Sequence, residues 1–344
     1  MKKFLLLSVA ATLICSMSFA KIFRVGYTGP QIAGVDYATS LAAHDAAAAG
    51  DTLMFYPGNF SMGNVTKRLV YLGYGYYLSG AGSNPNLQKI SGSCSLDLSL
   101  IATASGSIFE GIDNLAVRSY YQENVNDVVI RRCIASLGVF NSPGTVCYNW
   151  QISQCDSVYF SGGWYGGKAT NFRIDNSIIV GLNFGGNSDH TGQFNNCCFV
   201  QGLGIDLIQN AIIMQNCIFF QGNISNFPNS IFQHCLFGDA NPGLTGSNNQ
   251  FDVAFTGAGN VNTVFTGSPT AVPGESEDGK YKLKAGSPAI GAGIGGIDLG
   301  IYGGVNPYKL SGMPAIPAIY RLDASSPNAT SNPYTINFSI RSNN

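Results

Sequence analysis

Apolar and polar residues recur along the middle of this chain in one short pattern. The pattern reads apolar, polar, polar, small, apolar, apolar, and residues 214–219 (Met-Gln-Asn-Cys-Ile-Phe) show it most clearly. The small residues of the successive copies are Cys133, Cys155, Ser177, Cys197, Cys217 and Cys235. They are separated by 22, 22, 20, 20 and 18 residues. A nearly constant period in this range predicts a solenoid, because each unit buries its apolar face only by stacking on the next one.

The position of a residue in the repeat predicts where its side chain points. The residue three before the small one is Ile130 in the first copy and Phe232 in the last, and we expect it to face the core. The residue two after the small one is also mostly apolar and is expected inside. The residue just before the small one is polar, and we expect a ladder of side chains that bond to one another along the solenoid axis. These polar residues are Arg132, Gln154, Asn176, Asn196, Asn216 and His234.

Five of the nine cysteines occupy the small position of the repeat. In stacked parallel strands, equivalent residues lie about 4.8 Å apart with parallel Cβ directions, whereas a disulfide needs Cβ atoms about 3.5–4.5 Å apart that face each other. We therefore expect a column of buried, reduced thiols that pack as small apolar residues. A metal cluster is the alternative. The cysteines lie about 20 residues apart and have neither CxxC pairs nor histidine partners, which argues against it. Cys94, Cys147 and Cys198 lie outside the column and have no assigned role.

The N-terminal part of the chain predicts a strand, a helix and a second strand. The Ala-rich stretch that begins at Tyr37 and ends at Ala49 predicts a helix with Asp36 as its N-cap. A strand that starts at Asp51 follows and ends in a turn at Pro57. This succession, with Ala-Gly-Asp-Thr before the strand and Pro-Gly-Asn-Phe after it, resembles the N-terminal cap of secreted bacterial proteins of the pectate-lyase-like superfamily. The resemblance implies a right-handed parallel β-helix whose first rung is covered by the helix, and it implies no particular activity.

The whole chain is therefore interpreted as an all-β protein, a right-handed parallel β-helix with an N-terminal helical cap and a β- and Pro-rich C-terminal extension. We divide it into a signal peptide (1–20), the N-terminal strand and capping helix (21–60), the β-helix (61–304) and the extension (305–344). Residues 281–303 resemble the closing segment of many secreted β-helix proteins and are expected to form the last rungs. The alternating strand from Tyr334 to Ile340 is expected to pack back on the solenoid or to pair with a neighbouring protein, including a second copy.

The first residues of the chain predict export. Lys2 and Lys3 precede an apolar run, and small residues before Lys21 suit signal cleavage, with a membrane anchor as the alternative. We expect a secreted, extracellular or cell-surface protein with no membrane span after the signal is removed. Its removal leaves 16 Lys and Arg against 19 Asp and Glu, a net charge of −3. Because no basic patch stands out, nucleic acid is not an expected partner.

Outward positions of the repeat form a polar face that suits sugar hydroxyls. Aromatic residues on a glycine-flanked loop add rings that either stack on a sugar or cover the core. The predicted ligand-binding residues are Gln151, Ser153, Trp164, Tyr165, Arg173, Asp175, Gln193, Asn195 and Gln215. We expect a non-catalytic protein that binds a glycan or a partner protein along this face, without a metal or other cofactor.

Catalysis is the main alternative, as a polysaccharide lyase or glycoside hydrolase of the same superfamily. The candidate catalytic residues are Arg131, Asp156, Arg173 and Asp175. A Ca²⁺-dependent lyase needs several converging carboxylates and a base, and a hydrolase needs two carboxylates at a defined separation. The chain has no adjacent Asp pair and no Gly-His-Gly motif, so Arg173 and Asp175 are interpreted as a surface ion pair, and Asp156 is expected near Arg132 or Lys168. A subunit of an extracellular fibre or adhesin is the third interpretation.

Overall fold

The protein is a parallel β-solenoid, seen here in a computed structural model. The structure describes residues 20–87, 89–139, 144–162, 167–184, 189–200, 211–220, 229–241, 243–255, 262–267, 270, 272–316, 318–324 and 336–341. Residues 1–19 of the predicted signal peptide, Trp164 and Tyr165 lie outside these residues. Within the part of the chain that is described, no helix is long and apolar enough to cross a membrane.

The first sheet runs the length of the solenoid and has twelve parallel strands. They are β1 (Ile22–Val25), β2 (Asp36–Tyr37), β3 (Thr52–Phe55), β5 (Val70–Leu72), β7 (Ile108–Glu110), β9 (Val129–Arg131), β12 (Gln151–Ser153), β15 (Phe172–Asp175), β17 (Thr191–Asn195), β19 (Ala211–Gln215), β21 (Ile231–Gln233) and β23 (Gly246–Ser247). Each strand pairs with the next in chain order, except that β2 lies outside β1 at the edge.

The second sheet has nine parallel strands and lies across the core from the first. They are β4 (Gly58–Val65), β6 (Cys94–Leu100), β8 (Asn114–Ser119), β10 (Ile134–Val139), β13 (Asp156–Gly162), β16 (Ile178–Phe184), β18 (Cys198–Phe199), β20 (Ile218–Phe219) and β22 (Leu236–Phe237). A third, two-stranded sheet joins β11 (Val146–Tyr148) to β14 (Lys168–Thr170) in parallel. The predicted fold class, a parallel β-solenoid, is confirmed.

The repeat found in the sequence is the register of the first sheet. The residues three before the small position pair with one another from strand to strand and are at most 1% exposed. They are Ile130, Ile152, Ile174, Phe194, Met214 and Phe232. The inward positions of the second sheet stack aromatic rings, with Phe219 at 4.4 Å from Phe199 and 4.6 Å from Phe237 between ring centroids. Ser157 departs from the pattern because a bulge puts Val158 opposite Ile179 instead.

The polar residue of each copy forms a bend with a positive φ. The φ angles of the six polar residues lie between 45° and 55°. The small residue that follows closes the bend, because its side chain donates to the carbonyl two residues earlier: the Cys217 thiol donates to Gln215 (3.2 Å) and the Ser177 hydroxyl to Asp175 (2.8 Å). The eight cysteines of the described residues are all buried, and the five of the column pack in the core as expected.

The polar side chains at the bend bind mainly to a returning segment of the chain and less to one another. This segment, residues 292–315, is called the strap, and it runs along the solenoid from its C-terminal rungs back to Glu110. The contacts, in strap order, are Ala292 carbonyl to His234 (2.9 Å), Ile294 N–H to Asn216 (2.8 Å), Asp298 and Gly300 carbonyls to Asn196 (3.1 and 3.3 Å), Ile301 and Gly303 carbonyls to Asn176 (2.9 and 2.8 Å), Pro307 carbonyl to Gln154 (2.6 Å) and Met313 carbonyl to Arg132 (2.9 Å).

The expected ladder of polar side chains is therefore only partly present. Along the axis, Arg132 donates to Gln154 (2.8 Å) and Asn216 donates to Asn196 (3.4 Å). The other amide donors are turned toward the strap, because its backbone carbonyls would otherwise be buried without partners. The prediction that residues 281–303 form rungs is also wrong: the described strands of the solenoid end at β23, and this segment contains turns, short 3-10 helices and one isolated antiparallel bridge, from Leu283 to Phe265.

The N-terminal helix is shorter than the sequence predicted. The helix α1 (Ser40–Ala46) starts after Thr39, whose hydroxyl accepts from the Ala42 N–H (3.3 Å). Asp36 does not cap it, because the Asp36 carboxylate lies in β2 and accepts from the Arg24 guanidinium at 2.5 and 2.7 Å. The helix buries Ala43 and packs against β1, β2 and β4.

The C-terminal tail forms a hairpin. The strand β25 (Ile336–Arg341) pairs antiparallel with β24 (Ala318–Ala324) in a separate two-stranded sheet. One edge of the strand that the sequence offered for pairing with a neighbour is therefore occupied by the same chain.

Candidate functional site

A groove lies between the outer face of the first sheet and the strap. Its volume is about 790 Å³. One wall is the polar row of β7, β9, β12, β15 and β17, and the other wall is the strap from Ile297 to Ala315. The residues that line it are Glu110, Arg131, Arg132, Gln151, Ser153, Gln154, Arg173, Asp175, Asn176, Asn195, Asn196, Asn216, Ile297, Gly304, Val305, Asn306, Pro307, Lys309 and Ala315.

The wall of the groove that belongs to the first sheet is set by the register of its strands. The pairing of β7, β9, β12, β15 and β17 places five polar side chains in one row along the axis, about 4.8 Å apart. In chain order they are Glu110, Arg131, Ser153, Asp175 and Asn195. Neighbours in the row bind each other: Arg131 donates to Glu110 (2.8 Å), and Asn195 donates to Asp175 (2.8 Å). These contacts hold the row in place before any ligand arrives.

The charges in the groove are unequal. Four cationic side chains line it (Arg131, Arg132, Arg173 and Lys309) against two carboxylates, Glu110 and Asp175, so the local balance is +2. The whole chain, by contrast, carries a net charge of −1. The Arg173 side chain is 53% exposed and Arg131 is 43% exposed, although each also binds a carboxylate. The groove therefore offers partly solvated guanidinium groups to an anionic ligand.

Glu110 is fixed where the strap ends. Its two oxygens accept from Arg131 Nε (2.8 Å) and from the backbone N–H of Ala315 (2.8 Å), and Arg132 lies 3.6 Å away. Burial of Arg132 lowers its pKa from the usual value, and the nearby Glu110 carboxylate opposes that shift. Glu110 therefore anchors the end of the groove, and both of its carboxylate oxygens are already engaged.

Most of the predicted ligand-binding residues lie together in this groove. Gln151, Ser153, Arg173, Asp175 and Asn195 line it, as does the catalytic candidate Arg131. Two further predicted residues, Gln193 on β17 and Gln215 on β19, are not among the lining residues. Sequence reasoning missed Glu110, Arg132, Lys309 and the strap. The register of the repeat would have placed Glu110, since Phe109 pairs with Ile130.

Asp156 lies away from the groove. It starts β13 in the second sheet, where it is 3% exposed and accepts from the Tyr77 hydroxyl (2.7 Å) and the Ser157 hydroxyl (3.1 Å). Its burial raises the pKa of the carboxyl. The expected approach to Arg132 or Lys168 is not found, because Arg132 binds the strap and Lys168 pairs with Asp189 (2.9 Å).

The two carboxylates of the groove are poorly placed for hydrolysis of a glycosidic bond. Glu110 and Asp175 occupy the same row with Arg131 and Ser153 between them, so three strand spacings, about 14 Å, separate their strand positions. Glycosidases hold their two carboxylates about 5–9.5 Å apart. Both oxygens of Asp175 also accept hydrogen bonds, from Arg173 (2.5 Å) and Asn195 (2.8 Å). Among the described residues, no group of three or more His, Cys, Asp or Glu side chains is arranged to hold a metal ion.

Comparison with known proteins found no relative of this chain. No protein-family model, curated protein or solved structure matches the chain. The likeness to the pectate-lyase-like superfamily therefore rests on the N-terminal residues quoted above and on the solenoid itself. A fold of this kind is compatible with many functions, so the function has to be argued from the groove.

Proposed function

We propose that the groove binds an extended glycan chain and that the protein acts outside the cell as a glycan-binding protein. The observation that carries the proposal is the continuous polar wall opposite the strap. It extends over the five strands from β7 to β17, about 19 Å at the usual strand spacing. Amide, hydroxyl and guanidinium groups along it match the donors and acceptors of sugar hydroxyls, and the +2 balance favours a chain that carries negative groups.

Binding of neutral and acidic oligosaccharides by isothermal titration calorimetry tests this proposal. The variant Arg173→Ala removes an exposed guanidinium from the groove, and we expect it to weaken binding about tenfold, the loss typical of one hydrogen bond to a charged group. The control is Arg118→Ala, because Arg118 pairs with Asp97 on the outside of the second sheet, away from the groove.

The result that would overturn the proposal is also defined. If no oligosaccharide binds, or if Arg173→Ala and Arg118→Ala bind equally well, the groove is not a glycan site. Release of unsaturated or reducing products from the same oligosaccharides would instead indicate an enzyme.

A further inference from the structure

A second, smaller cavity lies at the N-terminal end of the molecule and shares no lining residue with the groove. Its volume is about 140 Å³. It is formed by Pro57, the loop of residues 74–79, Ile90, Gly92, Cys94 and Asp113. A cavity of about 150 Å³ in another protein is known to hold a molecule of benzene. The space therefore suits a compact group of similar size.

Aromatic rings form much of the cavity wall. Tyr76 and Tyr77 meet at 89° with their ring centroids 5.3 Å apart, so that the two rings make a right-angled corner. Tyr74 adds a third ring, which is held by an edge contact with Tyr56 at 5.2 Å. The faces of aromatic rings are electron-rich and attract cations within about 6 Å of the ring centre.

Apart from the Asp113 carboxylate, several polar groups in the cavity wall already have hydrogen-bond partners. The Tyr76 hydroxyl binds Tyr308 (2.5 Å), and the Tyr77 hydroxyl donates to Asp156 (2.7 Å). The backbone carbonyls of Tyr77 and Leu78 accept from the N–H groups of Asn84 and Ile90. A ligand whose N–H groups outnumber the acceptors left in this wall, the Asp113 carboxylate included, would leave some of them unpaired at a cost in free energy.

Asp113 is the one carboxylate that lines the cavity. Among the described residues it has no hydrogen-bond donor or cationic side chain as a partner. Burial raises the pKa of the Asp113 carboxyl, because the charged form loses hydration. A bound cation would supply the missing counter-charge.

From this arrangement we propose that the cavity binds a small quaternary ammonium cation, with the three tyrosine rings around the alkyl groups and the Asp113 carboxylate as counter-ion. A quaternary nitrogen has no N–H groups to satisfy, which fits the engaged acceptors of the wall. Its positive charge is spread over the alkyl groups, which fits both the ring faces and the single carboxylate.

Titration of the mature protein with choline and with its neutral isostere 3,3-dimethylbutan-1-ol tests the proposal directly. The two molecules have nearly the same shape, so a charge-selective site binds choline at least tenfold more tightly. The measurement needs no variant and therefore does not depend on how a substitution folds. Equal affinities, or no choline binding at tens of millimolar, would overturn the proposal.

Two substitutions then test whether choline binds in this cavity. Asp113→Asn removes the counter-charge and is expected to weaken choline binding at least tenfold while leaving the neutral isostere unchanged. Tyr74→Leu removes one ring face and is expected to weaken choline binding about fivefold. Asp239→Asn, which makes the same charge change at an exposed site, is the control and should bind choline like the wild type. Wild-type affinity for choline in Asp113→Asn, with thermal unfolding unchanged, would contradict the assignment.

Discussion

At the scale of single residues, the bend of each rung makes two demands on one side chain. The backbone has a positive φ, which costs most residues about 1–2 kcal/mol and Asn less. The side chain must also reach the strap, and the Asn176 amide meets both demands by donating to the carbonyls of Ile301 and Gly303. Arg132 and Gln154 accept the same backbone geometry with longer side chains, and their hydrogen bonds to the strap offset the cost.

Asp278 is a buried carboxyl that the strap surrounds. It is 1% exposed, and its Oδ2 accepts from the Tyr308 hydroxyl (2.9 Å) and the Ser311 N–H (2.7 Å). Its other oxygen is buried with no hydrogen-bond partner among the described residues. Burial raises the pKa of Asp278 from 3.8 to about 6, and the nearby Asp156 carboxylate adds to the shift.

This pKa predicts how Asp278 affects stability. The folded-state pKa lies above the unfolded one, so the favourable contribution is complete below about pH 4 and is lost as the pH rises through 6. A shift of about two units corresponds to about 3 kcal/mol. We expect Asp278→Asn, which cannot ionise, to gain about that much over the wild type between pH 4 and pH 7.5. Urea unfolding of both proteins across this range measures the difference, and a pH-independent difference would contradict the prediction.

At the scale of elements, the strap and the polar column hold each other in place. The strap has no strand of its own, and its carbonyls find donors on side chains of the rungs. It lies close to the solenoid at Gly300, where φ is +77° and an added Cβ would lie 2.8 Å from Ile218 Cδ1 and 3.0 Å from the Cys198 thiol. Cys198, left without a role by the sequence, is thus part of the surface on which the strap packs.

Two substitutions at Asn176 separate the contribution of the strap from that of the backbone. Asn176→Gly removes the two buried hydrogen bonds but keeps the positive φ accessible, and we expect it to destabilise the protein by about 2–3 kcal/mol. Asn176→Ala also strains the backbone and should cost about 1 kcal/mol more. Chemical unfolding measures both. Equal free energies of unfolding for Asn176→Gly and the wild type would show that the strap contacts add nothing.

The elements also show which features of the fold can be predicted from a sequence repeat and which cannot. The inward residues, the bend and the thiol column follow from the period of about 20 residues, because each copy occupies the same place in the next rung. The strap could not be foreseen this way, since its residues 292–315 have no repeat and its partners lie about 60–200 positions earlier in the chain. For the same reason the sequence suggested one polar wall of the groove and missed the other.

The N-terminal helix and Asp156 show a second reason why predictions from the sequence fail. Asp36 is a good N-cap residue by type, but its carboxylate forms an ion pair with the Arg24 guanidinium in the neighbouring strand. Asp156 is predicted near Arg132 or Lys168, yet its row of the second sheet is covered by the C-terminal part of the chain, where Ile178 and Cys198 pack with Tyr308. In both cases a side chain from another element of the fold decided the outcome, 12 positions away for Asp36 and 79 for Asp156.

At the scale of the whole molecule, the described cysteines report on the integrity of the solenoid. Burial raises the pKa of the Cys94, Cys155 and Cys198 thiols to about 12, and it raises those of Cys133, Cys217 and Cys235 well above their usual value. Thiols in this state react slowly with alkylating agents because the thiolate is the nucleophile.

We therefore expect the eight described cysteines to resist iodoacetamide at pH 8 in the native protein, whereas in guanidinium all eight become labelled without a reductant. Intact-mass and peptide mass spectrometry count the labels and locate them. Labelling of a column residue such as Cys217 in the native protein would contradict the buried packing. A need for reductant before labelling in guanidinium would reveal a disulfide.

The course of the strap also bears on how the molecule unfolds. In a simple solenoid each rung contacts only its neighbours, so rungs at one end can melt while the rest stay folded. Here one segment binds successive rungs from His234 back to Glu110, and it joins Arg132 to Met313 across 181 positions of sequence. Losing any of these rungs frees part of the strap, which weakens its hold on the others. The strap thus adds cooperativity that nearest-neighbour stacking alone would not provide. We expect the rungs that it covers to melt in a single transition.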